Sequence, residues 1–78
     1  MKWTKQQREE FKLFRQNIGR QLLTCRLEKG WTLADVEART RIPSKILEKM
    51  ELGQFDMRLW DVAHLAFLYE KQMQLTLA

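Results

Sequence analysis

The chain has 78 residues, of which 45% are hydrophobic and 31% are charged, so its size and composition are those of one small globular domain rather than a disordered segment. Its longest apolar run, at 65–69, is much shorter than the ~20 residues of a membrane span, and its basic N-terminal segment lacks the apolar core of a signal peptide. Because Cys25 is the single cysteine, the sequence excludes intrachain disulfides and cysteine-based metal sites, and we expect a reducing cytoplasm as its location.

The net charge of +4 is concentrated near the N-terminus. Residues 1–30 carry eight basic and three acidic side chains, a balance of +5, whereas residues 31–56 have a balance of −1. A phosphate-binding surface is therefore easiest to build with the first helix contributing. The alternative is that these charges only keep a long helix solvated.

The first predicted helix runs from about residue 5 to residue 29. Thr4 is a suitable N-cap and Gly30 a suitable C-terminal stop. Gly19 lies within the pattern, where a glycine costs ~1 kcal/mol relative to alanine, so a bend or a break is expected there. The helix carries one apolar stripe with members three or four residues apart: Phe11, Phe14, Ile18, Leu22 and Cys25.

Two shorter helices follow. Thr32 and Asp35 have the spacing of a capping box, which predicts a second helix that ends near Thr40. Pro43 is compatible only with the cap or first turn of a helix. A third helix is therefore predicted over about 43–52, ended by Gly53.

The fourth predicted helix covers about 57–69. Its apolar residues recur at helical spacing: Leu59, Val62, Leu65, Ala66 and Tyr69. In residues 72–77, polar and apolar side chains alternate strictly, which is typical of a strand. A lone strand in a helical domain needs a partner. The alternatives are a strand shared with a second subunit, which we favour slightly, and a frayed tail.

An ordered series of residues across this pattern resembles the lambda-repressor-like (Cro/XRE-type) helix-turn-helix family. The series is Ile18, Gly19, Leu22, Arg26, Gly30, Trp31, Thr32, Leu33, Val36, Ile42, Leu47, Met50, Glu51, Gly53, Leu65 and Ala66. The resemblance implies an all-α, compact four- to five-helix domain over 16–70. Residues 1–15 would form a basic helical extension, and residues 71–78 a tail or dimerisation strand.

The resemblance also implies roles for single residues. Arg26 and Glu51 would form a structural ion pair, whose loss would leave a partly buried charge. The third helix would lie in the major groove of double-stranded DNA. Its candidate DNA-binding residues are Ser44, Lys45, Glu48 and Lys49, joined by Thr32, Arg41 and Arg20 on other segments. Otherwise these side chains are ordinary solvent-facing residues.

The chain departs from the family pattern at several positions. Leu33 stands where glutamine is usual, Glu37 where a small residue is usual, Arg41 where glycine is usual and Pro43 where a polar cap is usual. Asp56, in the next turn, would repel phosphate. Residues 39–56 are also similar to the RodZ-type branch, in which the fold binds protein, and residues 69–77 to antitoxin-type members.

Two functional hypotheses follow. The first is a prokaryotic or phage-type, repressor-like transcriptional regulator that binds operator DNA as a homodimer through the fourth helix and the C-terminal strand. The second is a protein-interaction module whose partner is a protein such as a toxin. No catalytic motif, metal-ligand spacing or cofactor motif is present, and the reactive candidates Cys25 and His64 are expected to be a core residue and a surface or helix-interface residue. We therefore expect no enzyme activity, cofactor or metal.

Overall fold

The computed structural model describes residues 2–54 and 58–69. The helices in this part of the chain are α1 (Lys5–Lys29), α2 (Leu33–Thr40), α3 (Ser44–Glu51) and α4 (Leu59–Tyr69). The prediction of an all-α domain of four to five helices is confirmed. The predicted strand at 72–77, Asp56 and the predicted helix start at Met57 lie outside the described residues. None of the four helices has both the length and the apolar character of a membrane span.

Side chains close the N-termini of the first two helices. The Thr4 hydroxyl accepts a hydrogen bond from the Gln7 amide at 3.1 Å, and the Gln7 side chain accepts one from the Thr4 amide at 2.8 Å. Thr32 and Asp35 form the same reciprocal pair at the start of α2, at 3.1 and 2.9 Å. Both pairs are capping boxes, which satisfy N–H groups that have no partner within the helix.

Two glycines follow helices in the left-handed backbone conformation. Gly30 follows α1 with a φ of 70°, and its amide donates to Leu27 O at 3.0 Å. Gly53 comes two residues after α3, also with a φ of 70°, and its amide donates to Met50 O at 3.0 Å. Glycine adopts this conformation without the steric cost that a Cβ atom imposes.

The contact between α1 and α3 is unusually close at Gly19. The helix α1 continues through this residue, so the break, one of the two outcomes expected there, does not occur. A Cβ atom at Gly19 would overlap Met50 O and would lie 2.6 Å from Glu51 O, at the C-terminal end of α3. Gly19 therefore allows the two backbones to touch, and this contact accounts for a residue that helix propensity disfavours.

The core lies between α1 and the three shorter helices. α1 packs against α3 and α4, and α2 packs against α3. Phe14, Trp31, Leu33, Ile42, Ile46 and Leu68 pack around it with part of their surfaces exposed. The buried hydrophobic residues are Ile18, Leu22, Cys25, Val36, Leu47, Met50, Val62, Leu65 and Tyr69.

Gly19→Ala is expected to lower the free energy of unfolding by about 2 kcal/mol or more, because the methyl group would overlap backbone carbonyls of α3. Helix propensity alone would give the opposite sign, a gain of ~1 kcal/mol. Urea unfolding followed by circular dichroism measures the difference.

The control is Gly30→Ala, where the methyl group would meet open space. Only the left-handed backbone opposes this change, at a cost of about 1 kcal/mol. A Gly19→Ala variant as stable as the wild type would contradict the close contact.

Candidate functional site

The outer face of α3 carries three of the predicted site residues. Lys45, Glu48 and Lys49 are all exposed, and their spacing of three and four residues places them together on one side of the helix. Leu47 and Met50, on the opposite side, are buried in the core. This arrangement gives α3 a fixed inner face and a charged outer face that a partner can reach.

Ser44, a fourth predicted residue, begins α3 and is half-buried. Its amide and its hydroxyl both donate to Glu37 Oε1, at 2.7 and 2.8 Å. The residue before it, Pro43, makes no side-chain capping bond. The Glu37 carboxylate thus caps α3 from the neighbouring helix, and we refer to this arrangement as the Glu37 cap.

The Glu37 cap also affects the ionisation of Glu37. The hydrogen bonds from the Ser44 hydroxyl and amide hold the pKa of the Glu37 carboxyl below its ordinary value. At neutral pH an ionised carboxylate therefore lies at the start of α3. The sequence showed Glu37 only as a departure from a small residue, although a proline in the cap position already signals that another group must cap the helix.

The turn between α2 and α3 depends on Thr40 and Arg41. The buried Thr40 hydroxyl donates to Val36 O at 2.8 Å and accepts from the Ile42 amide at 3.1 Å. Arg41 then adopts a φ of 64°, and its amide donates to Glu37 O at 2.7 Å. Arg41 is exposed and is the non-glycine residue with positive φ in the part of the chain that the structure describes.

The remaining predicted DNA-binding residues lie on other segments. Thr32 is exposed at the start of α2, where its hydroxyl oxygen already accepts the capping bond from Asp35. Arg20 is exposed in the middle of α1. Neither residue is part of the outer face of α3, so a ligand on that face would contact them only if it extended along the neighbouring helices.

The side chains of Arg26 and Glu51 form a bidentate ion pair. Arg26 Nε donates to Glu51 Oε2 at 2.7 Å and Arg26 Nη2 donates to Glu51 Oε1 at 3.1 Å. A third bond, from Arg26 Nη1 to Trp31 O at 2.9 Å, reaches the segment before α2. The pair is largely shielded from solvent, with side-chain exposures of 14% and 10%. Its geometry ties together the ends of α1 and α3 and the start of α2.

Charged and aromatic groups adjoin this ion pair. The hydrogen bond to Glu51 raises the pKa of Arg26, and burial, aided by the Glu51 charge, raises the pKa of Tyr69 to about 12. The Arg39 guanidinium lies 4.2 Å from the centre of the Trp31 ring, and the Trp31 and Tyr69 rings are 6.2 Å apart. Stacking of this kind stabilises a partly exposed aromatic side chain.

The residues considered for catalysis are not placed together for it. Cys25 is buried in the core, and His64 is exposed on α4. Within residues 2–54 and 58–69, no group of three histidine, cysteine or carboxylate side chains is placed to hold a metal ion.

Comparison with known proteins gives one match. A family model described as a helix-turn-helix domain matches residues 21–58, a range that contains the last nine residues of α1, all of α2 and α3, and the turn between them. The match supports a helix-turn-helix family and, at a coarse level, suggests a DNA-binding regulator of a type that is typically non-enzymatic. No curated protein and no solved structure matches the chain significantly.

Arg41→Gly is expected to raise the free energy of unfolding by about 1 kcal/mol, because glycine adopts the left-handed conformation without the steric cost that arginine bears. Thermal unfolding measures the effect. Ala38→Gly, three residues earlier and exposed inside α2, is the control and should lower stability by about 1 kcal/mol. Destabilisation by Arg41→Gly would show that the arginine side chain contributes a stabilising contact.

Proposed function

We propose that this helix-turn-helix domain is a sequence-specific, repressor-like transcriptional regulator that reads the major groove of DNA with α3. The observation that supports this proposal is the outer face of α3, where Lys45, Glu48 and Lys49 are exposed on a helix whose other side is anchored in the core. A helix held in this way suits the major groove, where each base pair presents a distinct pattern of donors and acceptors.

Each residue of that face has a chemical role in the proposal. Lys45 and Lys49 donate to guanine O6 and N7 or to phosphate, and Glu48 accepts from cytosine N4. Arg41 and Arg20 supply charge to the phosphate backbone. The basic first part of α1, where Lys5, Arg8 and Lys12 are exposed, adds attraction at longer range.

The regulator acts as a homodimer in this proposal. On α4, Trp60 and Phe67 are 80% and 84% exposed, and their separation of seven residues places them on one side of the helix. Exposed Ala63 lies between them, so that two antiparallel copies of α4 can pack Trp60 of one copy against Phe67 of the other in a self-complementary contact.

The area buried by this contact is smaller than that of a standard dimer interface. Each aromatic side chain buries on the order of 150–250 Å², so the four rings of two copies bury roughly 600–1,000 Å². A standard interface buries about 1,200 Å² or more. The proposed strand within residues 71–78, which lies outside the described part of the chain, supplies the remaining area.

Lys45→Ala and Lys49→Ala are each expected to weaken binding to duplex DNA about tenfold or more and to reduce the salt dependence of the affinity by about one unit of slope. Fluorescence anisotropy over a series of salt concentrations measures both quantities. Lys12→Ala on α1 serves as the control, since it should weaken binding to all sequences equally. The proposal fails if both α3 variants bind as the wild type does.

The dimer is tested with Trp60→Ser and Phe67→Ser in sedimentation equilibrium. Each substitution should shift the protein from dimer to monomer, because a polar group would replace a ring at the centre of the contact. Leu27→Ser is the matched control: Leu27 is 62% exposed on α1 and should leave the dimer intact. A wild-type protein that stays monomeric at all concentrations would contradict the dimer.

A protein-interaction module is the second candidate. The Glu37 cap favours it, because a carboxylate at the start of α3 opposes an approaching phosphate but not an approaching protein. Residues 31–56, which include α2 and α3, carry a net charge of −1. A wild-type chain without salt-dependent affinity for any duplex, recovered with one protein after nuclease treatment, would favour this function over the first.

A further inference from the structure

The start of α3 resembles an anion-binding site that is already occupied. Free N–H groups and the helix dipole make a helix N-terminus favourable for a phosphate or a carboxylate. In this domain the Ser44 amide and hydroxyl, two donors that could bind a phosphate oxygen, both bind Glu37 Oε1. The occupant is the Glu37 carboxylate, which belongs to α2 of the same chain.

The backbone that carries the Glu37 side chain is held in place by the turn around it. Thr40 and Arg41 close the turn with hydrogen bonds to Val36 O and Glu37 O, so the backbone of Glu37 is held within the last turn of α2. Pro43 has no amide hydrogen to offer a competing ligand. Glu37 is also exposed, so its charge is directed toward a partner that approaches the start of α3.

We propose that Glu37 is a specificity-determining residue that competes with DNA phosphate for the start of α3. By occupying the Ser44 donors and adding a negative charge beside them, it weakens the sequence-independent part of DNA binding. This proposal rests on the function proposed above, because the competing phosphate is that of duplex DNA. The competition for the Ser44 donors can be observed without DNA.

The competition has a consequence for selectivity. Non-specific affinity comes from phosphate contacts, whereas base contacts provide discrimination. The base-reading candidates Lys45, Glu48 and Lys49 lie on the outer face of α3 and are exposed, so the Glu37 cap leaves them accessible. A protein with Glu37 therefore depends more on base contacts than the same fold with a small residue at this position.

Neighbouring charges modify this effect without removing it. Arg41 is exposed at the turn and Lys45 one residue after Ser44, and both attract phosphate. Glu48 lies one helical turn from Ser44, and its carboxylate repels phosphate. Neutralising Glu37 leaves these three groups in place, so its own contribution can be measured.

The first experiment compares Glu37→Gln with the wild type. Glutamine keeps a side-chain oxygen that can accept from Ser44 but carries no charge. Binding to a duplex of random sequence, measured by fluorescence anisotropy at low salt, should tighten about three- to tenfold, the range expected from removing one charge close to a phosphate. The gain should shrink as salt is added.

The matched control is Glu10→Gln, which removes an exposed carboxylate from the first part of α1. It changes the net charge equally but lies on a different helix. We expect less than a twofold gain from it, since the effect of Glu37 depends on its position. An equal gain from both variants, or none from Glu37→Gln when the wild type binds DNA, would overturn the proposal.

The second experiment uses inorganic phosphate and Glu37→Ala, which leaves the Ser44 donors unoccupied. In heteronuclear NMR spectra, the Ser44 amide should shift on phosphate addition in Glu37→Ala and stay unchanged in the wild type. The remaining amide spectrum of the variant shows whether it is folded. If it is not, Glu37→Met, which keeps the length of the side chain but has no oxygen acceptor for the Ser44 donors, serves as the second variant.

The outcomes separate the two proposals. If no form of the protein binds DNA but the Ser44 amide of Glu37→Ala responds to phosphate, the proposed function fails and the competition at the start of α3 stands. If phosphate shifts the Ser44 amide signal of the folded variant no more than that of the wild type, the proposed competition is wrong, whatever the affinity for DNA.

Discussion

The orientation of α3 depends on its contact with α1, and the two helices are held together at Glu51 by both its backbone and its side chain. The backbone of Met50 and Glu51 lies against Gly19, where no Cβ atom fits. The Glu51 carboxylate is bound by Arg26, seven residues farther along α1. Because the two contacts are about two helical turns apart on α1, they fix both the distance and the direction of α3.

The surface available to a partner follows from this constraint. Once the C-terminal end of α3 is held against α1, Leu47 and Met50 face the core and the opposite side faces solvent. The ion pair contributes mainly geometry, since a shielded pair gains little over an apolar pair but is costly to break on one side. The Glu37 cap holds the other end of α3, so the helix is positioned at both ends by side chains of its neighbours.

Much of this arrangement could be predicted from local sequence. The caps Thr4 and Thr32, the stop at Gly30 and the apolar spacing of α1 each act within a few residues, and the structure has helices where these signals place them. Gly19 was different, because its conformational cost is visible locally whereas the reason for it lies about thirty residues away in α3. A pattern limited to one helix cannot show that a second backbone needs the space of a side chain.

The candidate site was harder to predict for the same reason. Glu37 and Arg41 stood out as departures from a family pattern, and the sequence did not show what either residue does. In the structure Glu37 replaces the cap that Pro43 does not supply, while Arg41 bears a left-handed backbone that glycine would adopt at lower cost. Both effects act across the turn, beside the surface that we propose as the binding site.

Mapping of the DNA contact by NMR tests the central claim most directly. Isotope-labelled protein is titrated with duplex DNA at low salt, and the change of each amide signal is followed. We predict the largest changes in α3, at Lys45, Glu48 and Lys49, with smaller changes in the basic first part of α1. Changes confined to α1 or α4, with the α3 signals unmoved, would contradict the claim that α3 is the helix that reads DNA.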